Sequence, residues 1–182
     1  MSKPSLKIVR NEAKKSAEIY LYGIIGDYWD YEMPLTARRF QQQLAALSDV
    51  QEIHVHINSP GGNVHEGLAI CNAILASKKI IHTYNDGICA SMGAVILCSA
   101  KAGNRHAAKG SLTMFHSAST IVWGNSQELK DEAETLEKHD DVLAEIIADA
   151  LGQTVDQVKA AYMDGADHWL TAKEAEALGL VT

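Results

Sequence analysis

Apolar and polar positions alternate most clearly over Glu52–Ile57. Ile53, Val55 and Ile57 share one side there, and His54 and His56 share the other. That period of two predicts a strand with one buried face. Glu18–Ile25, rich in β-branched and aromatic residues, predicts an earlier strand, and Ile80–Tyr84 a later one that Asp86-Gly87 closes. Between them the period changes to that of a helix. Thr36 caps a helix through Leu47 with Ala37, Phe40, Leu44 and Leu47 on one side; a second runs from about Asn63 to Ser77 with Val64, Leu68, Cys71 and Leu75 inward. Strand–helix–strand order predicts parallel pairing and an α/β fold.

Ser91–Ala100 is small and apolar throughout and predicts a buried helix. Leu112–Phe115 is a short strand that delivers His116. Asn125-Ser126 opens a long helix to about Ala150, with Leu129, Leu136 and Leu143 seven apart, a candidate packing arm. Thr154–Gln157 and Thr171–Glu174 fit capping boxes, and Gly179 suits the residue after a helix end. Met1–Ala17 lacks periodicity and carries five Lys or Arg. It is read as an N-terminal arm or first irregular strand (1–17), ahead of a single domain (18–182).

Composition narrows the function classes. With 182 residues, 47% hydrophobic and 21% charged, the chain can bury a sizeable core. A net charge of −7 offers no basic face for nucleic acid. The longest apolar-leaning stretch, Gly87–Ala100, falls short of the roughly 20 residues that span a bilayer. Cys71, Cys89 and Cys98 sit in apolar stretches and read as buried thiols. No membrane contact, no metal and no organic cofactor are expected, and the expected location is cytoplasmic.

Three segments carry candidate chemistry. Ser91 stands between a strand and a helix of small residues, a corner that exposes a nucleophile beside free backbone N–H groups. Gly61-Gly62, between strand and helix, can aim N–H groups at one point, as an oxyanion hole requires. His116, at a strand end, can serve as base. Taken singly, each has a structural explanation: a helix cap, a βα turn, a satisfied histidine. An orienting acid would come from Asp164 or Asp167, between which spacing does not choose. Asp167 precedes Trp169-Leu170, whose burial would fix its position.

Taken in order, Ile57-Asn58-Ser59-Pro60-Gly61-Gly62, Ala90-Ser91-Met92-Gly93-Ala94, Met114-Phe115-His116 and Asp167-His168-Trp169-Leu170-Thr171-Ala172 resemble the Clp protease proteolytic subunits. The resemblance implies a ClpP/crotonase fold: repeated ββα units in a superhelical stack, with the helix after Gly124 as a protruding handle. It implies Ser91 as nucleophile, His116 as base and Asp167 as acid, with Gly61 and Met92 donating to the oxyanion. It further implies a homo-oligomer of heptameric rings acting on polypeptides, with an ATPase unfoldase as a candidate partner. Ile19-Tyr20-Leu21-Tyr22-Gly23 and Trp169-Leu170-Thr171-Ala172 resemble the phage and prophage branch, whose substrates are capsid or scaffold proteins. The sequence departs from cellular subunits at Ser117-Ala118, where those have Gln-Pro, and at Ala166-Asp167-His168, where those flank the acid with Arg. Three rivals stand beside this reading: a crotonase-type acyl-CoA hydratase or isomerase, a Ser–Lys peptidase, and a non-catalytic assembly protein.

Overall fold

A computed structural model describes residues 5–13, 15–27 and 34–182. Among them, seven strands form one sheet, in the order β1-β2-β3-β4-β6-β7, with β5 also pairing with β4. β1 (Ser5–Asn11) lies antiparallel to β2 (Ser16–Tyr22). The stretch read as arm or first strand therefore contributes a strand; residues 1–4 and 14 of it lie outside the described residues. β2, β3 (Glu52–Ser59) and β4 (Ile80–Ala90) are parallel neighbours. Their crossovers are α1 (Ala37–Ala46) and α2 (Val64–Leu75), as strand–helix alternation predicts.

Along β2 and β3 the sheet buries one face. Ile19, Leu21, Ile53, Val55 and Ile57 have no more than 1% exposure. Each such side chain contributes roughly 1.5–3 kcal/mol by leaving water. Thr36 and Asn63 cap α1 and α2 by accepting from the amides of Arg39 and Glu66. The inner face of α2 differs from its predicted line: it is Gly67, Ile70, Cys71 and Ile74, and Leu75 is exposed. A Cβ at Gly67 would stand 2.3 Å from Met92 Cε, so the helix presses on the next one along its glycine rather than along Val64–Leu68.

β4 is longer than the apolar pattern predicts. Asp86-Gly87 does not end it. Register advances from Ile57↔Asn85 to Ser59↔Cys89, so β4 takes four steps against two on β3. The extra residues form a bulge held by bonds to Asn58 and Asn85: Ile88 N–H donates to Asn58 Oδ1 at 3.2 Å and Gly87 N–H to Asn85 Oδ1 at 3.2 Å. Beyond the bulge β4 pairs with β6 (Leu112–Phe115) and runs into α3 (Met92–Cys98). β5 (Arg105–Ala107) and β7 (His168–Thr171) are too short and mixed in pattern to read from sequence.

α4 (Ser126–Leu151) opens on a capping box from Asn125 and Glu128. Its far end is buried through Leu143, Ala144, Ile147 and Ala148, whereas Leu129 is 44% exposed. α5 (Val155–Tyr162) and α6 (Ala172–Ala177) start at the expected Thr154 and Thr171 boxes. Arg105, 4% exposed, gathers the ends of these elements: its guanidinium donates to Ala100 O, Ala150 O, Gly179 O and Leu180 O. Carbonyls at helix C-termini carry negative partial charge, which suits a buried cation.

The opposite sheet face is a row of rings. Tyr20, His56, Tyr84, His106, His82 and His54 follow one another at centroid separations of 4.6–5.3 Å. His82 Nδ1 meets His106 Nε2 at 3.0 Å, and Glu52 Oε1 lies 3.3 Å from His54 Nε2 and 3.5 Å from His82 Nε2. Among the described residues, no group of three or more His, Cys, Asp or Glu is arranged to hold a metal ion. Nor is any described helix long and apolar enough to cross a membrane. Cys71, Cys89 and Cys98 are buried and unbridged. Burial pushes all three thiols up, Cys98 to about 12.

Candidate active site

Ser91 occupies the corner between β4 and α3 with φ 52° and ψ −125°. A positive φ is uncommon for any residue bearing a Cβ. The corner is pinned on both sides. Ser91 N–H donates to Met114 O on β6 at 2.9 Å, and Ser91 O accepts from Ala94 N–H at 2.9 Å, closing the first turn of α3. The side chain itself makes no cap bond to the helix, which excludes the helix-cap explanation. It is thereby free to meet His116.

The imidazole of His116 stands at the end of β6. Its Nε2 lies 2.9 Å from Ser91 Oγ, and its Nδ1 lies 3.3 Å from Asp167 Oδ1. A carboxylate at Nδ1 favours the tautomer with its proton there, leaving Nε2 to accept from the serine hydroxyl. Strand register explains why Asp167 arrives. β6 and β7 are antiparallel, with Phe115 opposite His168. The next residues outward are His116 and Asp167. Trp169, whose burial was expected to anchor the segment, is instead 47% exposed, so the ladder to β6 supplies the anchor. Asp164 faces elsewhere: it accepts from His168 Nε2 at 2.7 Å and Ala166 N–H at 3.0 Å. Those two bonds, the histidine's first, hold its carboxyl below the usual range.

The two glycines divide their work. Gly61 (φ 98°) packs beneath the corner, where a Cβ would stand 2.6 Å from Ser91 Cβ, 2.9 Å from Ala90 O and 3.1 Å from Met92 N. Its N–H donates to Ser59 Oγ at 3.1 Å, inside the turn, and its carbonyl accepts from Ile25 N–H at 2.9 Å. Gly62 lines the cavity that opens at Ser91. Met92 lines it too, and as the first residue of α3 its N–H has no helical carbonyl to reach.

That cavity has apolar walls. Met92 and Val95 come from α3, Phe115 from β6, Leu143 and Ile147 from α4, and Met163 follows α5. Ala118 and Ser119 form the rim beside His116. Of these walls the sequence singles out Met92, Phe115 and Leu143, each for a different role. The others belong to elements far apart in the chain, and no local pattern brings them together.

The sequence matches known proteins. The Clp protease family model matches residues 10–182. The ATP-dependent Clp protease proteolytic subunit 2 of Corynebacterium efficiens is 36% identical over 138 residues, covering 76% of this chain and 68% of the relative. The proteolytic subunit 3 of Rhodococcus jostii is 37% identical over 138 residues, covering 76% and 67%. The proteolytic subunit of Bacteroides fragilis is 33% identical over 166 residues, covering 90% and 76%. With a match that runs through every element from β2 to α6, the chain belongs to the Clp protease family and is a serine-type peptidase of that fold.

Proposed function

We propose that the chain is an endopeptidase in which Ser91 is the nucleophile, His116 the general base and Asp167 the acid that orients it. The observation that carries this reading is the 2.9 Å approach of His116 Nε2 to Ser91 Oγ, with Asp167 on the other ring nitrogen. Ser91 Oγ attacks the peptide carbonyl as its proton passes to Nε2. The tetrahedral intermediate collapses to an acyl-enzyme, His116 returns the proton to the departing amine, and water repeats the sequence to free the acid. Met92 N–H donates to the oxyanion. Gly61 is the second donor of this reading; its N–H meets Ser59 Oγ at 3.1 Å when no substrate is bound, and Gly62, which lines the cavity, is the alternative. The apolar walls favour an apolar side chain on the residue that supplies the cleaved carbonyl.

The assembly we propose is a ring homo-oligomer. Ile121 and Trp123 are fully exposed just before α4, and Leu129 and Val142 are exposed along it. An apolar surface of that kind on a helical arm suits contact between copies. The substrate is polypeptide. Capsid or scaffold protein is the reading that Ile19–Gly23 and Trp169–Ala172 support. An ATPase-coupled role is the second reading, favoured by relatives whose names call them ATP-dependent.

A fluorophosphonate probe tests the chemistry. It should label Ser91, as mass spectrometry of the modified peptide would show, and His116→Ala should slow labelling severely. Modification elsewhere, or undiminished labelling of His116→Ala, would overturn the assignment.

A further inference from the structure

After His116 the chain runs through nine residues, 117–125, with neither helix nor strand, and from Ser119 to Asn125 every residue is exposed. The start of this segment is held from across the cleft. Ala118 N–H donates to Asp140 Oδ1, on α4, at 2.6 Å. Amide-to-carboxylate bonds of this length are among the stronger ones in proteins. Asp140 is three and seven residues before Leu143 and Ile147, so the three share one face of α4. Leu143 and Ile147 form one wall of the cavity at Ser91, and Ala118 and Ser119 form its rim. One carboxylate thus joins the two sides between which an apolar side chain would sit. It does so where α4 passes from buried, at Leu143, to exposed, at Asp141. Nearby contacts steady the helix at this level: Lys159 Nζ lies 2.5 Å from Asp141 Oδ1, and the rings of His65 and His139 meet edge to face at 5.2 Å.

We propose that Asp140 is a positioning residue for substrate: by holding the Ala118 amide it fixes the rim against the α4 wall and sets the width of the cleft. The inference rests on Ser91 being the nucleophile of that cleft. Asp140 touches neither Ser91 nor His116 in the bonds described, so its loss should act on peptide binding and spare the chemical groups.

The test is steady-state kinetics on the assembled protein, using peptides with leucine or alanine before the cleaved bond, alongside fluorophosphonate labelling of Ser91. Asp140→Ala should raise KM for the leucine peptide about tenfold, with kcat within about twofold, and the alanine peptide should suffer less. Asp140→Asn keeps an acceptor oxygen and should return KM to within about threefold of wild type. Labelling rates should be unchanged in both variants. An unchanged KM in Asp140→Ala overturns the proposal. So does an Asp140→Asn as impaired as Asp140→Ala, or a parallel fall of kcat and labelling. Wild type that fails to label at Ser91 overturns the reading of the cleft itself, and this inference with it.

Discussion

Asp164 and Asp167 are three residues apart, and their surroundings give them opposite work. Asp164 spends its carboxylate on His168 and the Ala166 amide, within its own turn. Asp167 reaches across the ladder to His116 Nδ1. Asp167→Asn should therefore lower kcat strongly, towards the ~10⁴-fold loss seen when a triad histidine is held in the wrong tautomer. Asp164→Asn should leave kcat near wild type. The comparison must be made at matched oligomeric state, and a damaging Asp164→Asn beside a near-normal Asp167→Asn would reverse the assignment. Serine and histidine were legible in the sequence because each sits at a corner that a short pattern announces. For the acid, spacing does not choose between Asp164 and Asp167, and Asp167 rests on the resemblance and the expected Trp169-Leu170 anchor; what brings it to His116 is the register of two four-residue strands, a long-range property. The local contacts of Gly61 and Gly62 are beyond the sequence in the same way. Sequence shows two glycines after a proline; the bond from Gly61 N–H to Ser59 Oγ depends on a serine rotamer.

Among the elements, α4 illustrates how one spacing can serve two environments. Leu129, Leu136 and Leu143 lie seven apart, yet they pass from exposed through half-buried to buried. The helix is core at one end and free surface at the other. If its free end and the Ile121–Trp123 segment meet another copy, Trp123→Asp with Leu129→Asp should dissociate the assembly while each subunit stays folded. Sedimentation velocity and circular dichroism would read the two effects. A wild-type protein that sediments as a ~20 kDa monomer with full peptidase activity would contradict the ring; symmetric closed assembly is the basis of the expectation. Elements with strong periodicity or capping boxes, such as β3, α4, α5 and α6, were legible in advance. The pattern ends β4 early because Asp-Gly signals a turn locally, whereas the Asn58 and Asn85 side chains convert it into a bulge. The apolar pattern places the inner face of α2 about one residue off, because a glycine carries no hydrophobic signal even where it makes the closest approach.

At the scale of the whole molecule, the ring-lined face of the sheet links stability to pH. Burial, more than any other influence, lowers the pKa of His54 and of His106; neighbouring histidines lower both further, while Glu52 opposes the effect at His54. The folded protein thus prefers both rings neutral, and the unfolded chain takes up protons first, near pH 6.5. Stability should be independent of these groups above about pH 6.5 and should fall as pH drops below it. Urea midpoints at pH 7.5 and pH 5.5 would measure the fall, and His54→Gln with His106→Gln should flatten it. A double variant with undiminished pH dependence would place the effect elsewhere. Asp164 and Glu174, whose carboxyls hydrogen bonds hold below the usual range, act only at lower pH. The backbone at Ser91 bears on stability in a different way. A non-glycine residue in a sparsely populated conformation costs on the order of 1–3 kcal/mol, and glycine at that corner would be free of it. Were the site an idle relic, drift to glycine would make the protein sturdier and sacrifice nothing. On the proposed reading, a hydroxymethyl group kept there, with an imidazole against it, trades robustness for reactivity.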